Sequence, residues 1–226
     1  MNDEETVNTK AVLFDLDGTL IDSATGLGRA ADLMRTNRGM ASFPLVNYRP
    51  MAGAGARGML AVAFGKTAES PDFDNLKEEF FTVYESLMLA HCERFSGVVE
   101  LIEELACLGL RWGIVTNKSA RFTQPIVRSV ALFSSASVVI SGDTTAHTKP
   151  HPEPLFEAAR RLSLLPSECV YVGDDKRDVD AAKAAGMYSC AAAWGYLGEH
   201  ALEIWKADVI LKKPSDLLSL DILKSK

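Results

Sequence analysis

The stretch Ala11-Val-Leu-Phe-Asp-Leu-Asp-Gly-Thr-Leu20 decides the fold. Its first four residues are apolar, a short run that is typical of a strand buried on both faces. Two carboxylates follow at alternate positions, Asp15 and Asp17, before Gly18 and Thr19 turn the chain. In an open α/β sheet, ligands bind beyond the carboxyl ends of the strands. We therefore expect both acids at the mouth of such a crevice, where either a cation lies between them or one of them stays protonated.

The composition is that of an ordinary globular protein. Of 226 residues, 47% are hydrophobic and 24% charged, and a net charge of −6 without a Lys/Arg block argues against nucleic acid as a partner. No stretch approaches the roughly 18 apolar residues of a membrane span. The amino terminus lacks an apolar signal segment, and the cysteines show neither zinc nor Cys-x-x-Cys spacing. These features predict a cytoplasmic protein with reduced thiols at Cys92, Cys107, Cys169 and Cys190.

A helical block follows the first strand. Apolar residues at helical spacing predict helices over 24–38, 56–64 and 73–92. Such a block is too long for an economical β-α-β crossover. We therefore predict an inserted all-helical cap domain over 22–92, with the core domain formed by 1–21 and 93–226.

Strands and helices alternate through the rest of the chain, which predicts a parallel sheet with helices on both faces. The fold class expected is α/β, a Rossmann-like doubly wound core. Strands are predicted over 111–116, 137–141, 169–173, 188–192 and 208–211, and helices over 97–108, 120–130, 152–162 and 179–185.

Two of the predicted strands lead into loops with polar side chains suited to holding a phosphate. Thr116 ends one strand and Asn117 follows it, where a hydroxyl and backbone N–H groups can bind phosphate oxygens, although in isolation such a residue is more often only a helix cap. Lys149 precedes Pro150, so its backbone is held out of a helix and its ammonium can be aimed at the acid after the first strand.

A third loop, Gly173-Asp-Asp-Lys-Arg-Asp178, again follows a buried strand. Clustered carboxylates are costly unless they are solvated or share a cation, and Mg²⁺ takes oxygen ligands. Asp174 is the expected ligand, and Asp178 is expected to hold a coordinated water or to act as a further carboxylate. Asp175 is open between two roles, orienting Lys149 or being a surface acid.

Together, in this order, these motifs resemble the four motifs of the haloacid dehalogenase superfamily, and the phosphoglycolate phosphatase branch in particular. The resemblance implies Asp15 as the nucleophile, Asp17 as general acid and base, and Thr116 and Lys149 as the holders of the transferring oxygens. It also implies Mg²⁺ at Asp15, Asp17 and Asp174, with Asp175 and Asp178 in support.

The cap is expected to select the substrate. Met51-Ala-Gly-Ala-Gly-Ala-Arg-Gly58 reads as a flexible loop leading into a helix, with Arg57 available for an anionic substrate group, or as a plain turn with a surface arginine. Asn117 is a second candidate substrate-binding residue. Gly55-Ala-Arg-Gly-Met59 and Trp112-Gly-Ile-Val-Thr-Asn-Lys118 look more like phosphatases of N-acetylmuramic acid 6-phosphate.

Three functions remain open at this point. The first is a Mg²⁺-dependent phosphatase of a small phosphorylated metabolite, either phosphoglycolate or N-acetylmuramic acid 6-phosphate. The second is a phosphosugar mutase of the β-phosphoglucomutase type, which would return the phosphoryl group to its substrate. The third is a non-catalytic binding module, against which the retained catalytic residue types argue. The sequence leaves monomer and homodimer open.

Overall fold

The computed structural model describes residues 9–198 and 201–223. Its strands, in chain order, are β1 (Ala11–Phe14), β2 (Ile21–Asp22), β3 (Glu93–Arg94), β4 (Arg111–Val115), β5 (Val138–Ile140), β6 (Cys169–Gly173), β7 (Tyr188–Ala192) and β8 (Val209–Leu211). Its α-helices are α1 (Ala24–Thr36), α2 (Gly55–Phe64), α3 (Phe73–Leu87), α4 (Val98–Cys107), α5 (Ala120–Ser129), α6 (Glu153–Leu162) and α7 (Lys176–Ala185).

Six of the strands form one parallel sheet in the order β5-β4-β1-β6-β7-β8. β4 and β5 therefore lie on one side of β1. The chain then returns to the centre of the sheet, and β6, β7 and β8 lie on the other side of β1. This is the strand order of a doubly wound Rossmann-like sheet, whose ligand crevice lies where the order reverses. The predicted fold class is confirmed, and the reversal lies at β1.

Helices cover both faces of the sheet. Val12 and Phe14 of β1 belong to an apolar cluster that includes side chains of α4 and α5. Ala11 and Leu13, on the opposite face, belong to a second cluster with side chains of α6 and α7. All four residues of β1 are fully buried, which explains why an uninterrupted apolar run, without alternation, marks this strand.

A two-stranded ribbon brackets the helical block. β2 pairs antiparallel with β3, Ile21 opposite Arg94 and Asp22 opposite Glu93, a pairing that the sequence analysis did not predict because each strand has two residues. Between them, α1, α2 and α3 pack on one another around side chains such as Met34 and Phe80. The ribbon supports our proposal that 22–92 is a separate cap domain. Residues 1–8, 199–200 and 224–226 of the proposed core, including the stretch examined for a signal segment, lie outside the described residues.

Some helix bounds differ from the prediction. α7 begins at Lys176, earlier than the predicted residue 179, because the side chain of Asp175 accepts a hydrogen bond from the N–H of Arg177 and caps the helix. α3 ends at Leu87, and a 3-10 turn, Met88–His91, replaces the predicted last turn. α1 ends at Thr36, short of residue 38. In the described residues no helix combines the length and the apolar character needed to cross a bilayer.

Candidate active site

Three carboxylates meet where the strand order reverses. Asp15 follows β1, Asp174 follows β6, and Asp178 lies in the first turn of α7. One oxygen from each lies within 4.8 Å of the others. A hydrogen bond of 2.9 Å from the N–H of Asp15 to the carbonyl of Val172 continues the β1–β6 pairing up to the acid. The sheet itself therefore brings Asp15 and Asp174 together, as predicted from acids at strand ends.

Asp174 is fixed on both of its carboxylate oxygens. The hydroxyl of Thr19 donates to Oδ1 at 3.0 Å, and the N–H of Tyr196 donates to Oδ2 at 2.7 Å. A side chain at Gly18, where φ is +88°, or at Gly195 would collide with this carboxylate. Burial, with the nearby charges of Asp15 and Asp178 adding to it, raises the pKa of Asp174 well above its usual range.

Lys149 is the cation of the cluster. Its ammonium, almost fully buried, lies 2.8 Å from Asp15 Oδ1 and 2.7 Å from Asp178 Oδ1. It also contacts the carbonyl oxygen of Val115 at 2.8 Å and the hydroxyl of Tyr171 at 2.6 Å. Burial opposes the charge of Lys149, but the two carboxylates outweigh burial and raise its pKa. The 2.8 Å contact confirms the prediction that this lysine pairs with Asp15.

The carboxylates outnumber the ammonium at this point. Burial raises the pKa of Asp178 to about 6, although the charge of Lys149 acts in the opposite direction. Three acids and one buried lysine leave the site with excess negative charge when all are ionised, and all the convergent donors are oxygens. A hard divalent cation such as Mg²⁺ fits this donor set.

The contacts of Asp175 add a third role to the two that were left open for it. Its carboxylate caps α7 and pairs with Arg177 at 2.8 Å, while the neighbour of Lys149 is Asp178. Arg177 also donates to the carbonyl of Gly53 at 2.7 Å, which ties α7 to the loop before α2. The start of the helix explains this arrangement. Because Asp175 is the cap of α7, Asp178 lies in the first turn of the helix and contacts Lys149.

The side-chain amide of Asn117 forms hydrogen bonds with the backbone of Lys149. Its amide nitrogen donates to the carbonyl of Lys149 at 2.8 Å, and its amide oxygen accepts from the N–H of Lys149 at 2.9 Å. This two-point contact positions the lysine loop against the end of β4. Thr116 is 3% exposed and lies at the same strand end, where its hydroxyl accepts a hydrogen bond of 3.2 Å from the N–H of Lys118.

The carboxylate of Asp17 lies outside the three-acid group. Both of its oxygens lie 3.0 Å from the ammonium of Lys118, and Oδ1 also accepts from the hydroxyl of Ser23 at 2.5 Å. In this arrangement both oxygens of the Asp17 side chain are held by protein groups, and the side chain is not among those whose oxygens converge on the candidate metal position.

A cavity of about 620 Å³ opens over these groups. Its floor comes from the strand ends, and its roof from the helical block. The exposed side chain of Arg57 lies at its border, beside the loop Gly53–Gly55. Its apolar wall consists of Leu27, Phe80, Phe81, Tyr84 and Phe122.

Several of these residues escaped the sequence analysis. Tyr171 lies within a strand and reads as an ordinary core residue. The hydroxyl of Tyr196 accepts a hydrogen bond from the N–H of Ser23, and the 173 positions between the two residues hide this contact from the sequence. Lys118 did carry a signal, because it is a cation in the same loop as Thr116. Arg177 was visible as a cation beside the acids of the last motif, but its contact with Gly53 depends on tertiary structure.

The Haloacid dehalogenase-like hydrolase family model matches residues 12–192. A phosphoglycolate phosphatase of Xanthomonas campestris pv. campestris is 44% identical over 209 residues, which cover 92% of this chain and 94% of that protein. An N-acetylmuramic acid 6-phosphate phosphatase of Pseudomonas aeruginosa is 35% identical over 212 residues, covering 93% and 94%.

Comparison with solved structures indicates the same family. The crystal structure of a predicted phosphoglycolate phosphatase from Haemophilus somnus matches with a TM-score of 0.81 at 26% identity, covering 93% of this chain and 97% of that one. Sequence and fold agree over nearly the whole length. The chain therefore belongs to the haloacid dehalogenase-like hydrolase family and is a phosphatase.

Proposed function

We propose that this phosphatase hydrolyses a small phosphate monoester through an aspartyl phosphate on Asp15, with Mg²⁺ as its cofactor and 2-phosphoglycolate as the leading substrate. The observation that carries the proposal is the buried group of Asp15, Asp174, Asp178 and Lys149 at the strand reversal. A structural ion pair needs one acid for its lysine, whereas three acids around one lysine suit a carboxylate nucleophile that acts beside a bound divalent cation.

In the first half-reaction, a carboxylate oxygen of Asp15 attacks phosphorus and the bond from phosphorus to the alcohol oxygen breaks. Asp17 gives its proton to that oxygen as the alcohol leaves. The ammonium of Lys149 holds Asp15 in place through the 2.8 Å contact and faces the transferring oxygens. Thr116 supplies a hydroxyl to the same oxygens.

In the second half-reaction, Asp17 accepts a proton from a water molecule, which attacks the phosphorus of the aspartyl phosphate. The bond from phosphorus to Asp15 breaks, which releases inorganic phosphate and restores the carboxylate. The same residue thus serves as acid and then as base.

Mg²⁺ would be held by carboxylate oxygens of Asp15 and Asp174, with the backbone carbonyl of Asp17 as a further ligand and Asp178 in support. When bound, it offsets the negative charge of the acids and of the phosphoryl group. The fixed orientation of Asp174, set by Thr19 and Tyr196, suits a metal ligand whose position must not change between steps.

A second substrate has a specific observation in its favour. The cavity, at about 620 Å³ with an aromatic wall, is large for a two-carbon acid and has room for a sugar ring. N-acetylmuramic acid 6-phosphate is therefore the alternative substrate, supported also by the 35% identical relative.

We further propose a cytoplasmic location. The four cysteines are free thiols, with Cys169 and Cys190 buried, which is the usual state in a reducing compartment.

The experiment that tests the proposal is phosphate release from a panel of phosphorylated metabolites, with Mg²⁺ and with EDTA. The panel includes 2-phosphoglycolate, N-acetylmuramic acid 6-phosphate, β-glucose 1-phosphate and common sugar phosphates. Metal-dependent release from one of the first two supports the proposal. Conversion of β-glucose 1-phosphate to its isomer without free phosphate would indicate a mutase instead.

A further inference from the structure

The cavity contains a second buried ammonium, that of Lys118. Its side chain is 10% exposed, and its nitrogen lies 3.0 Å from each oxygen of Asp17 and 5.0 Å from the centre of the Tyr84 ring. A buried ammonium is costly unless it is paired. Asp17 is its counter-ion in this structure, and Asp17 is also the residue that has to act on the substrate.

The other cations around the cavity have different surroundings. Lys149 has two carboxylates, a hydroxyl and a carbonyl around its three N–H groups. Arg177 is bound to Asp175 and to the carbonyl of Gly53. Arg57 is exposed at the border of the cavity. Lys118 is thus a buried cation whose one carboxylate partner is the proposed general acid, with the hydroxyl of Tyr84 as a further, neutral partner.

Two demands on Asp17 conflict: it has to pair with Lys118, and it has to act on the substrate as general acid. A general acid must carry a proton and direct it at the leaving oxygen, yet both oxygens of Asp17 accept hydrogen bonds from Lys118. An anion on the substrate resolves the conflict, because it replaces Asp17 as the partner of Lys118. One ion pair is exchanged for another, so the buried ammonium is paired before and after binding.

Geometry limits where that anion can be. Asp17 has to approach the leaving oxygen to roughly 3 Å, and the ammonium of Lys118 is 3.0 Å from Asp17. One Asp17 side chain thus has to reach two positions, that of the ammonium in this structure and that of the leaving oxygen in the reaction, so the two positions lie close together. A carboxylate on the carbon that bears the ester oxygen lies in the same region.

We propose, on the basis of the function proposed above, that Lys118 is the substrate-binding residue for a carboxylate carried on the carbon next to the phosphoester oxygen. The substrate class is then the 2-phosphooxy carboxylates, of which 2-phosphoglycolate is the smallest. N-acetylmuramic acid 6-phosphate carries its carboxylate on an ether substituent at another ring carbon, remote from the ester, and does not meet this requirement.

The test compares 2-phosphoglycolate with its primary amide, which has the same size without the second negative charge. Phosphate release is measured for the wild type and for K118Q, K118R and R57Q, all with Mg²⁺. The wild type is expected to prefer the acid by about 100-fold in kcat/KM, the range of a lost charge pair. In K118Q the preference falls to near unity, with much of the loss in KM for the acid, while K118R retains most of it.

Each other result has a defined meaning. Equal losses on acid and amide in K118Q would overturn the proposal and show that Lys118 acts through Asp17 alone. A preference that survives K118Q and disappears in R57Q would assign the carboxylate to Arg57. A wild type that hydrolyses both compounds equally would refute carboxylate recognition while leaving the phosphatase intact, whereas release from no phosphate ester would refute the proposed function. If circular dichroism shows that K118Q does not fold, K118M supplies the same ratio.

Discussion

At the scale of single residues, the proposed chemistry rests on the charges around Lys149. Asp15 is the one acid of the group that follows β1 directly and faces both the ammonium and the cavity. Asp174 and Asp178 surround it, and burial raises the pKa of each. The site thus holds more negative charge than Lys149 alone can neutralise, and a divalent metal ion fits that condition.

Replacement of the nucleophile gives the first prediction. Asp15→Asn should lower kcat by about 10⁴-fold or more, because the amide oxygen does not form a stable acyl phosphate. The fold should persist, since the change is isosteric. Phosphate release and thermal unfolding measure the two effects, and Asp180→Asn is the matched control, an acid of α7 whose pair with Lys176 is partly exposed. Substantial turnover by the Asp15 variant would contradict the assignment.

Titration of Asp178 gives the second prediction. Its pKa in the folded protein, about 6, lies above the ordinary value of 3.8 for an aspartate side chain. The folded state therefore binds more protons between these values, so this residue makes the free energy of unfolding fall as pH rises from about 4 to about 6 in EDTA. Urea unfolding across this range measures the effect, which Asp178→Asn should remove. The same slope in both proteins would refute it.

The hydroxyl of Tyr171 gives the third prediction. It contacts the ammonium of Lys149 and donates to the carbonyl of Val115 at 2.8 Å. Tyr171→Phe keeps the ring but leaves these buried groups with one partner fewer, which should cost about 1–3 kcal/mol in the free energy of unfolding. Urea unfolding checks this value. Tyr188→Phe, on the neighbouring strand and less buried, is the comparison and should change little; equal losses in both would contradict a special role for Tyr171.

At this scale the sequence predicts the residues whose position follows from the end of a strand. Asp15, Asp174 and Thr116 each come directly after a buried strand, and parallel strands bring such positions to one edge. Lys118 and Asp17 are 101 positions apart, and their pairing depends on side-chain direction. Neither periodicity nor spacing encodes that direction, so the sequence does not predict that Lys118 pairs with Asp17.

At the scale of elements, two loops are tied to the sheet by specific contacts. Asn117, after β4, holds the backbone of Lys149 before α6. Arg177, in the first turn of α7, holds the carbonyl of Gly53 before α2. The first contact fixes the loop that carries the buried ammonium of Lys149, and the second connects the roof of the cavity to its floor. Apolar periodicity predicted the helices well, but their ends depended on capping, which is why α7 begins earlier than predicted.

The loop before α2 gives the fourth prediction. Arg57→Ala should raise KM for the natural substrate by about tenfold, and should affect p-nitrophenyl phosphate, a small artificial ester, much less. The reason is that Arg57 lines the cavity from α2 of the helical block, whereas the three acids line it from the ends of β1 and β6 and the start of α7. Steady-state kinetics on both esters measures the difference. Arg160→Ala, on the exposed face of α6, is the control, and equal losses on both esters for Arg57→Ala would refute a substrate contact.

At the scale of the whole molecule, the strand order explains why residues from distant parts of the chain converge. The sheet reverses at β1, so the loops after β1, β4 and β6 open on one crevice. The helical block enters after β2 and leaves before β3, and the ribbon between them sets it above that crevice. The parallel core could be predicted from alternating strands and helices. The ribbon could not, because two-residue strands carry no pattern.

The central claim is that the phosphoryl group passes through Asp15. The measurement that tests it most directly is rapid acid quenching during turnover of 2-phosphoglycolate with Mg²⁺, followed by peptide mass spectrometry. We expect a phosphoryl group on the peptide that contains Asp15, formed and lost at rates compatible with kcat and absent from Asp15→Asn. Turnover at the full rate without a phosphorylated protein, or with the phosphoryl group on another residue, would contradict the account.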